Sequence, residues 1–255
     1  MYHIELEFIK EKVIRIYKEM LSVPLEVMDK GSFDTLTNVD LAIEETLIKE
    51  IKKAFPHDSI ISEEFNPLGK VKGRTWVIDP IDGTVNFSRG GTNFGIQIAL
   101  FDNNEVVLSY MYFPRYNDEY YAILDEGAYF NNKRIMHQLT PVSHTIMSFS
   151  DFFVNDPKAN KFIENLLLNV KNDIFRTRFI GCSSVDFASL AVGTTDALVM
   201  RTNNLWDLAP GYLLVKEAGC TIINEKTLDY NFDDYALIAV NNKAFIEVLK
   251  KALLK

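Results

Sequence analysis

Asp79 and Asp82 stand three residues apart at the end of an apolar run, in WVIDPIDGTVNF (76–87), with Gly83 and Thr84 directly behind them. An isolated D-x-x-D-G reads as an exposed Asp-Gly turn closing a strand. Here the preceding WVI is too apolar for a surface edge, and two carboxylates at a buried strand end need compensating positive charge. Gly83 allows close backbone approach, and the amides of Gly83 and Thr84, opening a short helix through Val85, Asn86 and Phe87, can take an anion. Carboxylates that attract a hard divalent cation such as Mg²⁺, next to amides that attract phosphate, are the parts of a phosphoryl-transfer site. The further oxygen ligands must come from other segments. ISEEF offers Glu63 and Glu64, an acidic pair that alone reads as a solvated loop, and NNLWDLAPGYLLVKEAG offers Asp207. Asp207 reads as the N-cap of a helix whose first turn contains Pro210, so only its company makes it a ligand candidate.

The elements that must position these groups follow from periodicity. Leu6, Ile9, Val13, Ile16, Tyr17 and Met20 recur at helical spacing over residues 3–21, and a second helix runs from Asn38 to before Pro56. Short strands follow at SIIS (59–62) and RTWVID (74–79). The segments FGIQIALFD, EVVLSYMYF and EYYAILDEGAYF predict an antiparallel meander over 94–135, with Asn103-Asn104 and Asn131-Asn132 as turns. The second half alternates strands near TIMSFS, TRFIG, DALVM, TIIN and ALIAV with helices near 159–169, 184–192, 207–218 and 243–254. A mixed, layered α/β architecture is expected, its two halves meeting at a cleft.

Composition narrows the function classes. The 255 residues are 47% hydrophobic, enough for a substantial core, and the formal net charge is -8, which argues against nucleic-acid binding by bulk positive field. Four histidines and two cysteines are scattered without zinc-site or disulfide spacing, so Cys182 and Cys220 read as small core residues. Glu5 and Glu7 interrupt any signal-like start, and no apolar run approaches the ~20 residues that span a bilayer, so a soluble cytoplasmic protein with no membrane partner is expected.

Taken in order, FDTLTNVD (33–40), ISEE (61–64), WVIDPIDGTVNF, and WDLAPG (206–211) with EAG (217–219) resemble the inositol monophosphatase family over nearly the whole chain. These are Mg²⁺-dependent, lithium-sensitive phosphatases related to fructose-1,6-bisphosphatase. The resemblance implies an αβαβα sandwich, one domain over 1–255 divisible into halves of about 1–140 and 141–255, and a homodimer. It implies that Glu63, Asp79 and the Ile81 carbonyl hold one Mg²⁺ and that Asp79, Asp82 and Asp207 hold a second. Glu63 and, through water, Asp40 would serve a third, weaker ion. Thr84, hydrogen-bonded to Asp40, would orient the attacking water together with Glu63, and Gly83 and Thr84 would bind phosphate. Gly181, Ser183 and Asp207 would line the substrate.

The activity so implied is hydrolysis of a small phosphate monoester, an inositol-1-phosphate-like or sugar phosphate, by metal-activated water without a phosphoenzyme. Relatives also handle fructose-1,6-bisphosphate, the 2′-phosphate of NADP and 3′-phosphoadenosine 5′-phosphate. A haloacid-dehalogenase-type mechanism fits less well, since D-P-I-D-G-T is one residue longer than its D-x-D-G-T. A non-catalytic sensor of phosphorylated ligands would be expected to have lost a ligand residue. Two departures bear on substrate: GCSS (181–184) has Ser183 and Ser184 where the family has alanines, and Met200 replaces a glutamate that binds inositol hydroxyls. Arg89 and Arg201 are the cations available for a second phosphate, and the loop 64–74 is a candidate lid.

Overall fold

A computed structural model describes residues 1–29, 35–136, 139–152 and 156–254. Phe33 and Asp34 of the FDTLTNVD segment lie outside the described residues. Helix α1 (His3–Met20) and helix α2 (Asn38–Ala54) form as their apolar spacing predicts, burying Ile9, Val13 and Ile16 from one and Ile43, Leu47 and Ile51 from the other. Between them lies a small hairpin of β1 (Val27–Asp29) and β2 (Thr35–Thr37). Thr37 then caps α2 in a capping box: its side chain accepts from the Asp40 amide while Asp40 accepts from the Thr37 amide.

Strands β3 (Ser59–Ser62), β4 (Thr75–Asp82), β5 (Gly95–Asp102), β6 (Glu105–Phe113), β7 (Asp118–Ile123), β8 (Gly127–Phe130) and β9 (Lys133–Arg134) form one sheet in that order. Only β3 and β4 run parallel; the rest is the expected meander. The segment 119–130 is two strands, because Asp125 and Gly127 take positive φ and turn the chain between them. All eight residues of β4 are buried. Its register with β5 breaks between Asp79 and Asp82, where Pro80 has no amide to give the ladder.

The second sheet has the order β11 (Arg176–Phe179), β10 (Ile146–Phe149), β12 (Ala197–Met200), β14 (Leu237–Val240), β13 (Thr221–Asn224), parallel across its first three strands. The remaining helices are α3 (Thr84–Ser88), α4 (Pro157–Val170), α5 (Ser183–Val192), α6 (Leu205–Glu217) and α7 (Ile246–Leu253). Period-two alternation sorts the layers. Trp76 and Ile78 of β4 face α1 and α2, while Val77 faces α5 and α6. Leu198 and Met200 of β12 face the same α5–α6 layer from the other side, and Ala197 and Val199 face α4 and α7. The result is the expected αβαβα stack, with α5 and α6 as its middle layer. Gly211 of α6 lets the two helices close up, since a Cβ there would sit 2.0 Å from the Phe187 ring.

Helix α6 begins earlier than expected. Its N-cap is Asn204, so Asp207 is the third helical residue rather than the cap, and Pro210 lies in the second turn. The Thr202 hydroxyl takes the Asn204 amide and starts the helix early. Among the described residues no helix is long and apolar enough to cross a membrane.

Candidate active site

The bulge in β4 sends Asp79 and Asp82 toward the start of α6, and one carboxylate oxygen from each of Asp79, Asp82 and Asp207 lies within 4.8 Å of the others. Three segments therefore converge, as the spacing argument requires. Asp79 is 1% exposed. Its Oδ2 accepts from Gln97 Nε2 at 3.2 Å, and its Oδ1 has no hydrogen-bond partner among the described residues. Burial, then the charges of Glu63, Asp82 and Asp207, push this carboxyl well above the ordinary range. A buried oxygen with no donor, among hard carboxylate ligands and with no cation lining the cavity among the described residues, is the donor set that suits Mg²⁺.

Asp82 is held differently. Helix α5 points its first amides at the carboxylate: Ser183 N donates to Oδ1 at 3.1 Å and Ser184 N to Oδ2 at 2.5 Å, with Cys182 Sγ 3.0 Å from Oδ2. Asp207 Oδ2 accepts from Thr202 Oγ1 at 3.0 Å and Asn204 Nδ2 at 3.1 Å. Glu63 follows the parallel pair Ser62–Ile78 and so comes beside Asp79; it lines the same cavity, of about 410 Å³, but lies outside the carboxylate trio. The loop after it is tied down, because Glu44 of α2 accepts the Glu64 and Phe65 amides at 2.9 and 2.7 Å. The start of the candidate lid is thereby anchored to a helix.

Thr84 Oγ1 lies 3.0 Å from Asp40 Oδ1 and 2.8 Å from the Ile81 carbonyl, so its single proton serves one of the two at a time. Asp40 is 0% exposed, does not line the cavity and reaches it through Thr84. Burial raises its carboxyl to about 6, against the opposing hydrogen bonds of Thr37 and Thr84. Gly83, at φ 82°, opens α3 in the left-handed region, and a Cβ there would stand 2.8 Å from the Asn93 carbonyl. Asn86 Nδ2 ties this turn to the Ile180 and Gly181 carbonyls, both at 3.2 Å.

Other expectations are redirected. Ser183 Oγ accepts from Gln97 Nε2 at 2.9 Å, and Ser184 is fully buried, so the two hydroxyls mainly serve the protein's own polar groups. Arg201 packs over the Tyr235 ring at 4.0 Å and pairs with Asp156 at 3.5 Å, away from the cleft, because a buried guanidinium needs such partners. Arg89 is exposed and lines neither this cavity nor its neighbour. Burial pushes the Cys182 thiol well up and the Cys220 thiol to about 12, in keeping with inert core cysteines. Gln97 was not singled out as a site residue, although a lone amide inside GIQIALF was a visible signal.

A five-layer αβαβα sandwich with a carboxylate cluster at the broken end of a buried strand defines an inositol-monophosphatase-like fold. The chain belongs to the inositol monophosphatase family, whose model matches residues 1–254. It is 33% identical over 224 residues to a Thermotoga maritima protein named fructose-1,6-bisphosphatase/inositol-1-monophosphatase, covering 86% of this chain and 83% of that one. It is 31% identical over 227 residues to the Escherichia coli Nus factor SuhB, covering 88% and 84%. Among solved structures, an IMPase from Thermotoga maritima superimposes with a TM-score of 0.84 at 28% identity, over 99% of this chain and 97% of that one.

Proposed function

We propose that the chain is a Mg²⁺-dependent phosphatase that hydrolyses a small phosphate monoester of the inositol-1-phosphate or sugar-phosphate type. The observation that carries this reading is the convergence of Asp79, Asp82 and Asp207 within 4.8 Å around a buried carboxylate oxygen that has no hydrogen-bond partner among the described residues. Bound Mg²⁺, with donors from Glu63, Asp79, the Ile81 carbonyl, Asp82 and Asp207, would supply acidification of water and neutralisation of charge on the leaving oxygen.

The chain's own residues do the rest. The amides that follow the Asp82 bulge, on Gly83 and Thr84, orient the phosphoryl group at the start of α3. Thr84 Oγ1 passes its proton between water and Asp40, which is 3.0 Å away and close enough to neutrality to take it. Gln97 keeps Asp79 turned toward the trio, and the α5 amides hold the Asp82 carboxylate in place. One relative is named a Nus factor, a role that need not involve turnover. The presence here of Glu63, Asp79, Asp82 and Asp207 together supports catalysis over a purely non-catalytic role.

The test is phosphate release from inositol-1-phosphate and a panel of sugar monophosphates, with Mg²⁺ or with EDTA. Turnover that requires Mg²⁺ and falls by about a thousandfold in Asp207→Asn is expected, since charge stabilisation of several kcal/mol converts to about three decades of rate. A folded Asp207→Asn protein retaining most of its turnover, or a wild type that hydrolyses nothing, would remove the reading.

A further inference from the structure

Of the proposed metal donors, Glu63 is the one whose place is set neither by the bulge in β4 nor by the start of α6. It stands just past the end of β3, a four-residue strand at the edge of its sheet. The turn that follows has little packing of its own, since Phe65 is 49% and Leu68 94% exposed. Its backbone hydrogen bonds are long. Glu63 N donates to the Ile78 carbonyl at 3.3 Å, Ser62 N to the Asn66 carbonyl at 3.4 Å and Asn66 N to the Ser62 carbonyl at 3.3 Å, all beyond the ~2.7–3.2 Å of ordinary N–H···O bonds.

The short bonds in this turn come from α2. Glu44 is 0% exposed, and its two carboxylate oxygens take one amide each: Oε2 accepts from Glu64 N at 2.9 Å and Oε1 from Phe65 N at 2.7 Å. A buried carboxylate needs such donors, and these are the amides of the two residues directly after Glu63. Four residues earlier on the same face of α2, Asp40 is equally buried and stands 3.0 Å from Thr84 Oγ1. Strands β3 and β4 run parallel and end side by side, Ser62 against Ile78. One helix face therefore holds the residues that follow both strand ends. Glu44 itself lines neither the cavity of the carboxylate trio nor its neighbour, so it touches none of the reacting groups.

We infer that Glu44 is a positioning residue for the metal site: by fixing the two amides after Glu63, it sets where the Glu63 carboxylate enters the cavity. The inference rests on the reading of Glu63 as a metal ligand. Two amides need two acceptors, and a glutamine at position 44 keeps the size but offers one oxygen, turning an NH₂ toward the other amide. The turn is then left with its long bonds, and Glu63 is released. Asp79, Asp82 and Asp207 keep their places, because their hydrogen bonds run to Gln97, to the start of α5 and to Thr202 and Asn204, not to α2.

The experiment titrates Mn²⁺, a hard cation that takes the same carboxylate and carbonyl ligands as Mg²⁺, into the wild type, Glu44→Gln, Glu63→Gln and the double variant, reading bound metal from loss of the free-ion EPR signal. Glu44→Gln should weaken Mn²⁺ binding about 10–100-fold, as loss of an outer partner of a metal ligand does. In the Glu63→Gln background the same change should move binding by less than about twofold, since a ligand that is gone cannot be misplaced. Urea melts in EDTA supply the control, because a loss of stability alone is carried equally by both backgrounds. Should Glu44→Gln fail to fold, Phe65→Pro removes the donor of the 2.7 Å bond at an exposed position and should weaken binding in the same sense. Equal weakening in both backgrounds, or binding unmoved by the variant that carries the test, would overturn the inference and leave the metal site standing. A wild type that takes up no Mn²⁺ would overturn the metal site, and this inference with it.

Discussion

The two sides of the cleft are built on opposite plans. On one side, Asp79 to Thr84 form a single run of six residues, and Asp82 and Thr84 within it are fixed by named donors or acceptors at 2.5–3.1 Å. On the other, Asp151, Gly181, Asp186 and Met200 are scattered over 50 residues of chain; each side leaves one buried carboxylate oxygen, Asp79 Oδ1 and Asp186 Oδ1, with no hydrogen-bond partner among the described residues. A buried polar atom without a partner costs about 1–3 kcal/mol. On the phosphatase reading, the first side is thus pre-organised for one group common to all candidate substrates, the phosphoryl group. The first side's unmet oxygen, on Asp79, lies among metal-type carboxylates, whereas the second side's, on Asp186, lies outside them, where a hydrogen-bond donor can satisfy it.

If this division is right, the largest loss from a single uncharged side chain lies on the motif side. Thr84→Ala removes the hydroxyl that spans Asp40 and the Ile81 carbonyl, and kcat should fall about 100-fold or more, the lower end of what a positioned proton-transfer group contributes. Thr84→Ser should recover most of it, because the hydroxyl and not the methyl makes both contacts. A Thr84→Ala enzyme with near-normal kcat would break the comparison, since the contiguous run would then not be the chemical side.

Gln97 sharpens it, because its side-chain amide touches both sides: Nε2 donates to Asp79 Oδ2 at 3.2 Å and to Ser183 Oγ at 2.9 Å. Gln97→Leu leaves Asp79 with neither oxygen hydrogen-bonded by that residue and frees it to rotate. By analogy with other outer partners of metal ligands, the Mg²⁺ concentration for half-maximal activity should rise about 10–100-fold. The kcat at saturating Mg²⁺ should change less. An unmoved Mg²⁺ midpoint would mean that Asp79 is oriented by burial alone.

The same contrast explains what was readable in the sequence. The layers were readable, because β4 and β12 alternate their side chains between two apolar faces and the helices keep their spacing. The D-P-I-D-G-T run was readable, because proline, glycine and paired aspartates interrupt a buried strand in one place. The donors to Asp82 were not, since they are backbone amides a hundred residues away whose position depends on how α5 packs on α6. The start of α6 was misplaced for a related reason: Asp207 looks like a cap, but Thr202 and Asn204 start the helix first and use Asp207 as their acceptor. Arg201 looked available for phosphate because its ring partner Tyr235 is distant in sequence.

The smallest effect, and the most specific to the second side of the cleft, concerns Asp186 in the metal-free protein. Its carboxyl titrates near 8 in the fold, against about 3.9 in an unfolded chain. Between those values the native state holds a proton that the unfolded state has released, so stability is greatest below about pH 4 and falls as pH rises toward 8. The slope from one such group cannot exceed about 1.4 kcal/mol per pH unit. Asp40 and Asp79, also raised by burial, add slopes of the same sign, so the wild type should lose stability over this range by more than one group's share. Asp186→Asn removes a single contribution. Urea melts in EDTA at pH 5, 6.5 and 8 should therefore show the variant gaining on the wild type as pH rises, with the gap widest at pH 8. Parallel curves would mean that Asp186 is already ionised and matched by a partner, and the unmet hydrogen-bonding demand would then belong to Asp79 on the motif side and not to both sides.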